Sequence, residues 1–437
     1  MILSRYAFFV REGELCLAYC SRTNALIKIS KTLYDFLSTQ MKEHHIDTKI
    51  FDEAIVQMLE KHKFIVPAGE DDLFVNELHF KMLQSNFDMQ HLGLTIAPTT
   101  HCNFSCGYCF EPKKHQATMT DERVAQLMEF IKKHEQSNSV SITWYGGEPL
   151  LALPIIEKIL RQLPSTNKEL SGHNIITNGY YFDDKAIALF KEFPLNRIQI
   201  TLDGNRERHN GIRFNKNDTS NSFDRIVSNM DRILEELPST FLSVRVNVGT
   251  VNQEHFVEVE QFLKQRWEKY SNFEVYPGLL RIDNTEANNL GPEAIMGSKE
   301  TSTRFVQHLC DCGTDMYPHL SIKSCAANRV SAFIIGPDGE IYKCWNDVTD
   351  AKKIIGYINE TKLTNRQQFY DCMLNTSWVF DDKCRQCDVL PICHGGCIWY
   401  RLRNLRENGR FDVCVIYRNP DALRSALLAR YYSTINN

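Results

Sequence analysis

The pattern of hydrophobic and polar positions changes along the chain and divides it into three regions. The first spans residues 1–85. Its β-prone runs are 6–10, 15–19 and 25–29, and its stretches with apolar residues at helical spacing are 30–41 and 52–63. Ser30 is the predicted N-cap of the first helix. The run 64–66 predicts a closing hairpin strand or wing, and the acidic stretch 69–72 predicts a linker. Three strands followed by helices predict a winged-helix-like module.

A second region, residues 86–300, alternates between strand-like and helix-like patterns. The predicted strands are 92–96, 140–144, 174–177, 197–202, 243–248 and 274–282. The predicted helices lie near 120–134, 154–163, 184–192, 222–236 and 254–266. This alternation predicts an α/β fold with a parallel sheet, open or closed into a partial barrel. Because such folds bind ligands at the carboxyl ends of their strands, we expect the chemistry in the loops that follow the strands.

The third region, residues 301–437, has short strands, a Gly-Pro-Asp-Gly turn at 336–339 and most of the cysteines. The whole chain of 437 residues is 43% hydrophobic and 24% charged, which is typical of a globular protein. A net charge of −4 gives no general excess of positive charge for nucleic acid. No apolar run approaches the ~20 residues that span a bilayer, and the first residues show no secretory signal. These features predict a cytoplasmic protein with no nucleic-acid or membrane partner.

The unusual feature of the composition is the number of cysteines, which is 15. In a reducing cytoplasm we expect them to bind metal or to do thiol chemistry rather than to form disulfides. They group near position 105 and again after position 310, so their spacing carries the signal. Three cysteines fit neither group and are expected to be buried free thiols: Cys16, Cys20 and Cys372.

The first group is a C-x3-C-x2-C loop of Cys102, Cys106 and Cys109 that directly follows the first predicted strand of the second region. Thiolates are soft ligands that suit zinc and iron–sulfur clusters. Three cysteines on a four-iron cluster leave one iron with an open site, where a substrate can bind. The alternative is a zinc site completed by His101 or His115.

The run CNFSCGYC at 102–109 resembles the signature of radical S-adenosylmethionine (radical SAM) enzymes. The resemblance implies a partial (β/α)6 barrel and a [4Fe–4S] cluster held by the three cysteines, with the fourth iron chelated by S-adenosylmethionine. In that family, an electron from the cluster cleaves S-adenosylmethionine, and the resulting 5′-deoxyadenosyl radical abstracts a substrate hydrogen. The electron would come from a donor such as a flavodoxin or ferredoxin.

A second motif extends the resemblance along the predicted barrel. Gly146-Gly147-Glu148-Pro149 follows the second strand and resembles the family's GGEP motif, which receives the methionine amino group. Glycines allow the backbone to approach a ligand closely, and Glu148 can accept a hydrogen bond from an ammonium group. A turn before a helix is the alternative for this motif taken alone.

Four further cofactor contacts are implied by the same resemblance. Tyr108 would lie near the adenine, and Thr201 and Arg213 would hold the methionine carboxylate, which an arginine fork suits. Asn178 is a weaker cofactor contact. The alternatives are a solvated loop charge for Arg213 and a simple turn at 178–179.

A second cysteine array resembles the SPASM domain, a seven-cysteine extension of radical SAM enzymes that modify peptides and proteins. Its cysteines and its glycine are Cys325, Gly339, Cys344, Cys384, Cys387, Cys393, Cys397 and Cys414. The alternative is a pair of zinc ribbons, since C-x2-C pairs suit zinc.

The SPASM resemblance implies two auxiliary [4Fe–4S] clusters. The ligands of the outer cluster would be Cys384, Cys387, Cys393 and Cys414, and those of the inner cluster would be Cys325, Cys344 and Cys397. A fourth inner ligand would come from Cys310, Cys312 or His319, of which we prefer Cys312. A further alternative is that no protein residue fills this place, so that a substrate group binds the iron.

One departure bears on the chemistry. In the sulfatase-maturating branch of the family, an aspartate that acts as base follows the second SPASM cysteine. Here Trp345 and Asn346 follow Cys344, and Asp347 comes three residues after it. The departure disfavours formylglycine formation. Asp347 is the candidate for a shifted catalytic base, with a solvated loop carboxylate as the alternative.

The N-terminal module resembles a RiPP recognition element, which binds the leader of a ribosomally made precursor peptide. Such a leader adds a strand to an exposed sheet edge and docks apolar side chains on a helix. A DNA-binding winged helix is the alternative, but its concentrated basic face is missing. The sequence therefore predicts a radical SAM peptide maturase that installs a thioether, carbon–carbon or carbon–oxygen crosslink. Radical oxidation of a protein residue, peptide epimerisation and a non-enzymatic metal-binding scaffold are the alternatives.

Overall fold

The computed structural model describes residues 1–106, 109, 115–213, 215, 221–249, 253–280, 299–320, 325–409 and 411–435. The chain forms two compact units. The first unit comprises Met1–Phe87, Lys299–Cys325 and Leu374–Asn437, and the second comprises Asp88–Ser298 and Ala326–Met373. The three domains predicted from the sequence, 1–85, 86–300 and 301–437, stay a prediction. Within the described ranges, no helix is both long and apolar enough to cross a membrane.

The N-terminal residues form short strands and three helices. The strands are β1 (Ile2–Leu3), β2 (Ala7–Glu12), β3 (Leu15–Cys20), β4 (Ala25–Lys28) and β5 (Ile65–Val66), and the helices are α1 (Lys31–Thr39), α2 (Glu53–Lys61) and α3 (Glu70–Asn86). Strands β2, β3 and β4 make an antiparallel sheet, and β1 pairs with β5. Ser30 is the N-cap of α1, as predicted, because its hydroxyl accepts the Leu33 N–H at 3.2 Å.

The linker predicted at 69–72 is wrong. Residues 70–72 form the acidic first turn of α3, where the partial positive charge of the helix N-terminus stabilises carboxylates. Asp71 also accepts a hydrogen bond from the backbone N–H of Arg5 at 2.8 Å. The acidic run therefore begins a helix and joins it to the N-terminal strands.

Six parallel strands alternate with helices in the second unit, so the predicted α/β fold is confirmed. The strands are β6 (His91–Ile96), β7 (Ser139–Trp144), β8 (Glu169–Thr177), β9 (Arg197–Leu202), β10 (Phe241–Val248) and β11 (Phe273–Leu279). The helices between them are α4 (Asp121–Lys133), α5 (Leu153–Gln162), α6 (Asp184–Glu192), α7 (Arg206–Ile212), α8 (Ser222–Glu236) and α9 (Gln253–Arg266). Each strand pairs with its neighbour in the chain, as in a partial barrel.

Later residues extend this sheet from its first strand. Strand β12 (Ala332–Ile335) pairs in parallel with β6, and β13 (Glu340–Tyr342) and β14 (Gly356–Tyr357) continue the sheet antiparallel. The turn predicted at 336–339 joins β12 to β13. The remaining helices are α10 (Lys299–Asp311), α11 (Arg366–Tyr370), α12 (Asp382–Arg385), α13 (Leu390–Cys393), α14 (Ile398–Arg406) and α15 (Pro420–Ile435).

Both faces of the β2–β3–β4 sheet are covered. Ala18 packs on one face with Leu33 of α1 and other apolar side chains, and Tyr19 packs on the other face with Leu427 of α15. The outer edges of this sheet belong to β2 and β4. In the part of the chain that the structure describes, no strand pairs with the outer edge of β4.

Side chains along the parallel strands alternate between a buried apolar face and a polar face. In β9, Ile198 and Ile200 are buried, whereas Gln199 and Thr201 are only partly buried. Arg245 of β10 lies beside Thr201 in the register of the two strands. Because side chains alternate along a strand, these polar groups share one face of the sheet.

A buried imidazole holds the end of β7. The Trp144 Nε1–H donates to His173 Nε2 at 2.8 Å, and His173 Nδ1 lies 3.1 Å from the Pro194 carbonyl oxygen. Since an indole can only donate, His173 accepts there and is neutral. Burial lowers the pKa of His173 to about 4.

We expect His173 to make the fold lose stability as the pH falls from 6.5 towards 4. The unfolded imidazole takes up a proton near pH 6.5, whereas the folded one stays neutral until about pH 4, so protons favour the unfolded state in this window. At pH 5 the loss is about 2 kcal/mol relative to neutral pH. Urea unfolding at pH 7.5 and pH 5 measures it, and His173→Gln should reduce the difference. An unchanged pH dependence in that variant would contradict the assignment.

Candidate active site

The predicted cysteine loop follows β6 and is anchored at its start by two threonines. The Thr99 hydroxyl donates to the Ala117 carbonyl oxygen at 2.9 Å, and the Thr100 hydroxyl donates to the His115 carbonyl oxygen at 2.7 Å. The imidazole of His115 lies 3.2 Å from the carboxylate of Asp338. The proposed zinc ligand His115 therefore has a carboxylate as its partner.

The thiols of Cys102 and Cys109 lie close enough to that of Cys106 to affect its pKa. Burial raises the pKa of Cys106 to about 12, the Arg213 guanidinium opposes the rise, and the thiols of Cys109 and Cys102 add to it. Among the residues that the structure describes, no three metal-ligating side chains already surround one point. Tyr108, the predicted adenine contact, lies outside the described residues.

The Gly-Gly turn after β7 packs directly on the cysteine loop. The Gly147 N–H donates to the Thr99 carbonyl oxygen at 3.1 Å, and the Glu148 N–H donates to that of His101 at 2.8 Å. A Cβ on Gly147 would lie 2.5 Å from the Thr100 carbonyl oxygen and closer still to that of His101. Both loops can approach this closely only because the turn carries no side chain here.

The carboxylate of Glu148 is fully buried and joins the ends of β7 and β8. Its Oε1 accepts from the Thr177 hydroxyl at 2.6 Å and from the Leu150 N–H at 3.0 Å, and its Oε2 accepts from the Asn178 N–H at 2.8 Å. Burial raises the pKa of Glu148, and these three hydrogen bonds oppose the rise. The motif's acid, predicted to receive a ligand ammonium, thus has three donors from the protein itself.

Asn178 holds the cysteine loop from the β8 side. Its Nδ2 donates to Asn103 Oδ1 at 2.8 Å, and its Oδ1 accepts the Tyr180 N–H at 2.9 Å. Within the described ranges, the buried Nδ2 of Asn103 has no hydrogen-bond partner. Because such orphaned donors are rare, this corner fits a bound polar group, and the soft thiols beside it fit an iron–sulfur cluster.

Arg213 and Thr201, the two predicted contacts to the methionine carboxylate, lie in different parts of the site. Arg213 is buried, lies 3.3 Å from the carboxylate of Asp203 and has its guanidinium 5.8 Å from the ring centroid of Phe104 in the cysteine loop. Thr201 is half-buried on the polar face of β9. The structure therefore brings the predicted arginine to the cysteine loop and places the predicted hydroxyl on β9, three strands from β6.

Two aromatic residues that no motif marked lie between the cysteine loop and Cys344. The rings of Tyr145 and Trp345 stack with centroids 5.9 Å apart and an interplanar angle of 26°. Burial raises the pKa of Tyr145, and the nearby thiols of Cys109 and Cys344 add to the rise. Trp345 remains 46% exposed, so one face of its indole is free to contact a ligand.

Polar residues on the inner strand positions were also not predicted. The Tyr276 hydroxyl donates to Gln199 Oε1 at 2.9 Å, and Arg245 Nε donates to Asn247 Oδ1 at 3.0 Å. The sequence could have predicted these residues, because they are polar residues at every second position of otherwise apolar strands. That alternation marks the side chains that share a face with Thr201.

Asp347, the predicted base, is 3% exposed. Burial raises the pKa of Cys372 to about 12, with the charge of Asp347 adding to the rise and that of Lys343 opposing it. Asp347 therefore lies among buried charges, which suits a structural carboxylate better than a base that must reach a substrate. No disulfide joins any of the described cysteines, and the three expected to be buried thiols are buried.

The predicted outer-cluster cysteines all belong to the first unit: Cys384, Cys387, Cys393 and Cys414. A Cβ on Gly396 would overlap the Val413 carbonyl oxygen. The turn that precedes Cys397 therefore packs on the residue that precedes Cys414. This close packing brings together two parts of the cysteine array that are far apart in the sequence.

The predicted inner-cluster cysteines are divided between the units, with Cys325 and Cys397 in the first and Cys344 in the second. Of the three candidates for the further ligand, Cys310 is buried in an apolar cluster. Cys312 and His319 are exposed. The preference for Cys312 over Cys310 agrees with this difference in exposure, and the ligand assignment stays a prediction.

Residues 96–263 match the family model of the Radical SAM superfamily. The chain is 26% identical over 347 residues to the cysteine-type anaerobic sulfatase-maturating enzyme of Clostridium novyi (strain NT), across 71% of this chain and 88% of the relative.

Two solved structures share the fold. Native anSMEcpe with bound AdoMet and Kp18Cys peptide has a TM-score of 0.63 at 19% identity, covering 79% of this chain and 99% of that one. Streptococcus suis SuiB bound to precursor peptide SuiA has a TM-score of 0.51 at 16% identity, covering 94% of this chain and 99% of that one.

We expect Gly147→Ala to damage the site, because its Cβ would push the turn off the cysteine loop. Overpacking of this kind lowers the free energy of unfolding by about 1–3 kcal/mol. The iron content after anaerobic reconstitution should fall by about 4 atoms per chain, and S-adenosylmethionine binding by calorimetry should weaken. Gly211→Ala is the control, since a Cβ at that position meets nothing within 4 Å. Equal iron content in both variants would show that the contact is dispensable.

The site thus combines three interacting thiols after β6, a Gly-Gly turn hydrogen-bonded to their loop, and a buried acid that joins the next two strands. The family match spans these elements. The cysteine-rich C-terminal residues fit a SPASM domain. The chain therefore carries a radical SAM domain, a domain that uses a [4Fe–4S] cluster and S-adenosylmethionine, and it is similar in sequence to an anaerobic sulfatase-maturating enzyme.

Proposed function

We propose that the enzyme modifies a ribosomally made precursor peptide and closes a crosslink within it. The observation that carries this proposal is the N-terminal module, which offers an unpaired strand edge on β4 together with an exposed apolar face on α3. The likeness to SuiB, solved with a precursor peptide, extends over 94% of this chain and supports the same reading.

The β3–β4 turn and the start of α3 are joined by one arginine. Arg22 lies 2.8 Å from the Glu70 carboxylate, and its guanidinium lies 4.3 Å from the ring centroid of Phe74. Arg22 therefore ties the loop that precedes β4 to the start of the helix that would receive the apolar side chains of a leader. Strand addition supplies main-chain hydrogen bonds, and the helix supplies side-chain specificity.

An apolar stripe runs along the exposed face of α3. Leu73, Phe80 and Phe87 follow each other at intervals of seven residues and are 52%, 61% and 49% exposed. Residues at this spacing lie on one side of a helix. Because large exposed apolar side chains on one side of a helix and at its C-cap favour an interaction site, we assign the stripe to the leader peptide.

When bound together, the reduced cluster and S-adenosylmethionine supply a 5′-deoxyadenosyl radical. We assign Cys102, Cys106 and Cys109 as the cluster ligands. Glu148 holds the ends of β7 and β8, so its proposed contact to the methionine amino group comes from a rigid turn. Arg213 offers its guanidinium to the methionine carboxylate.

Five further residues complete the proposed site. Gly146 and Gly147 bring the turn's backbone to the ligand, and Thr201 and Asn178 bind the cofactor from their strand ends. Tyr108, which is outside the described residues, is the residue we assign to the adenine. The substrate would lie between the loops that carry these cofactor contacts and the Tyr145–Trp345 stack. The aromatic pair offers apolar ring surface to the substrate on that side.

The proposed reaction removes two hydrogens from the peptide. One leaves as an atom from a carbon, the carbon then bonds to a sulfur, carbon or oxygen of the same peptide, and the second hydrogen leaves as a proton. The remaining electron needs an acceptor, which the auxiliary clusters would supply, with Cys312 as the further inner ligand. A flavodoxin or ferredoxin in the cytoplasm would supply the reducing electron.

A second function, oxidation of a protein residue of the sulfatase-maturating kind, is favoured by the similarity to the Clostridium novyi enzyme. The departures at Trp345 and Asp347 weigh against it. The exposed indole of Trp345 stands where that branch has its base after Cys344. Asp347, the candidate for a shifted base, is buried.

We expect the reconstituted enzyme, with dithionite and S-adenosylmethionine, to form 5′-deoxyadenosine and to lower the mass of its precursor by two hydrogens. The precursor to test is a short peptide from a reading frame that neighbours the enzyme's own, and fragmentation mass spectrometry locates the link. Iron analysis should give about 12 atoms per chain for three clusters. An unchanged mass with deuterium uptake from heavy water would indicate epimerisation instead. Conversion of a sulfatase-derived peptide, with none of the precursor, would favour the second function.

We expect Phe80→Glu to weaken leader binding by at least about tenfold, because it places a charge in the apolar contact. Fluorescence anisotropy of a labelled leader peptide measures the dissociation constant. Leu405→Glu is the control, since Leu405 is also exposed and apolar but lies on α14. Equal affinity of the two variants would exclude α3 as the docking face.

A further inference from the structure

Two arginines donate hydrogen bonds to sulfur atoms of the predicted outer cluster. Arg401 Nη2 lies 2.9 Å from Cys384 Sγ, and Arg418 Nη1 lies 2.6 Å from Cys387 Sγ. All four residues belong to the first unit. Neither arginine is part of the cysteine motif, so their role is separate from ligation.

Arg401 is held in place by its other nitrogens. Nε donates to the Gly395 carbonyl oxygen at 2.6 Å, and Nη1 donates to Asp381 Oδ2 at 3.4 Å. Its side chain is 12% exposed. The guanidinium therefore has a fixed orientation towards Cys384, and it also supports the turn at Gly395.

Arg418 is held more loosely. It lies 3.8 Å from the Asp388 carboxylate, and its side chain is 43% exposed. Its removal takes little away from the core, so the effect on the sulfur can be measured without losing the fold.

A guanidinium stays positively charged at every accessible pH. Reduction of an iron–sulfur cluster adds a negative charge, which hydrogen bonds and positive charge at the sulfurs stabilise. We propose that Arg401 and Arg418 raise the reduction potential of the outer auxiliary cluster by donating hydrogen bonds to two of its four sulfur ligands. This inference rests on the proposed assignment of Cys384, Cys387 and their partners as cluster ligands. It makes the outer cluster the more ready acceptor of the electron that leaves the substrate.

The test is an EPR-monitored redox titration of the full chain in which Cys102, Cys106 and Cys109 are alanine, so that only auxiliary clusters contribute. In Arg418→Gln we expect the ratio of reduced to oxidised outer cluster at a fixed potential to fall about tenfold, which is about 59 mV for one electron. Arg385→Gln is the matched control, since Arg385 lies between the same two cysteines with an exposed side chain. It should leave the ratio unchanged.

Arg401→Lys separates the effect of the hydrogen bond on the potential from the effect of the charge. The variant keeps the positive charge but lacks the guanidinium that donates to Cys384. We expect a lower potential than in the parent, with iron content unchanged. Potentials unmoved in both arginine variants, or moved equally by Arg385→Gln, would overturn the inference. Loss of about 4 irons in both Arg418→Gln and Arg401→Lys would make the arginines structural and would also overturn it.

One further variant distinguishes this failure from failure of the cluster assignment. Cys384→Ala should abolish the EPR signal that the arginine variants shift. If the auxiliary signals and iron content survive Cys384→Ala, the outer cluster is wrongly assigned and the inference falls with it. If the signal is lost but Arg418→Gln leaves its potential unchanged, the cluster stands and only the inference is overturned.

Discussion

The contact between two backbones, at the Gly-Gly turn and the start of the cysteine loop, is the constraint on which the active site depends. The Gly147 and Glu148 N–H groups bond to the loop's carbonyl oxygens, so the ends of β6 and β7 are held together without any side chain between them. Glu148 extends this connection to β8. A buried carboxylate is tolerated only when its oxygens are hydrogen-bonded, so the loss of one strand end would destabilise the others.

Local patterns predicted most of the parallel sheet. Strand β9 has the predicted bounds, 197–202, because its alternating run is bordered by turn residues on both sides. Strand β8 begins five residues before the predicted 174, since its first half is polar and contains a glycine, so that pairing with β7 rather than its own composition makes it a strand. The linker prediction at 69–72 is wrong because charge alone does not distinguish a solvated linker from the first turn of a helix.

The active-site motifs were visible in the sequence because their residues are close together in the chain. The Tyr145–Trp345 stack and the arginine–sulfur contacts join residues that are far apart or outside any motif, and no spacing rule marks them. Glu148 shows a different limit. The sequence indicates that an acid is needed at this position, but only the structure shows that three protein groups already donate to it.

The pairing of β12 with β6 has a consequence for synthesis on the ribosome. Strand β6 ends at Ile96, and the strand that covers its edge begins at Ala332. At typical elongation rates, that edge waits on the order of ten seconds or more for its partner. An open strand edge is a template for pairing with other chains. Nascent chains therefore expose this edge during that interval, and a barrel truncated before β12 would keep it exposed.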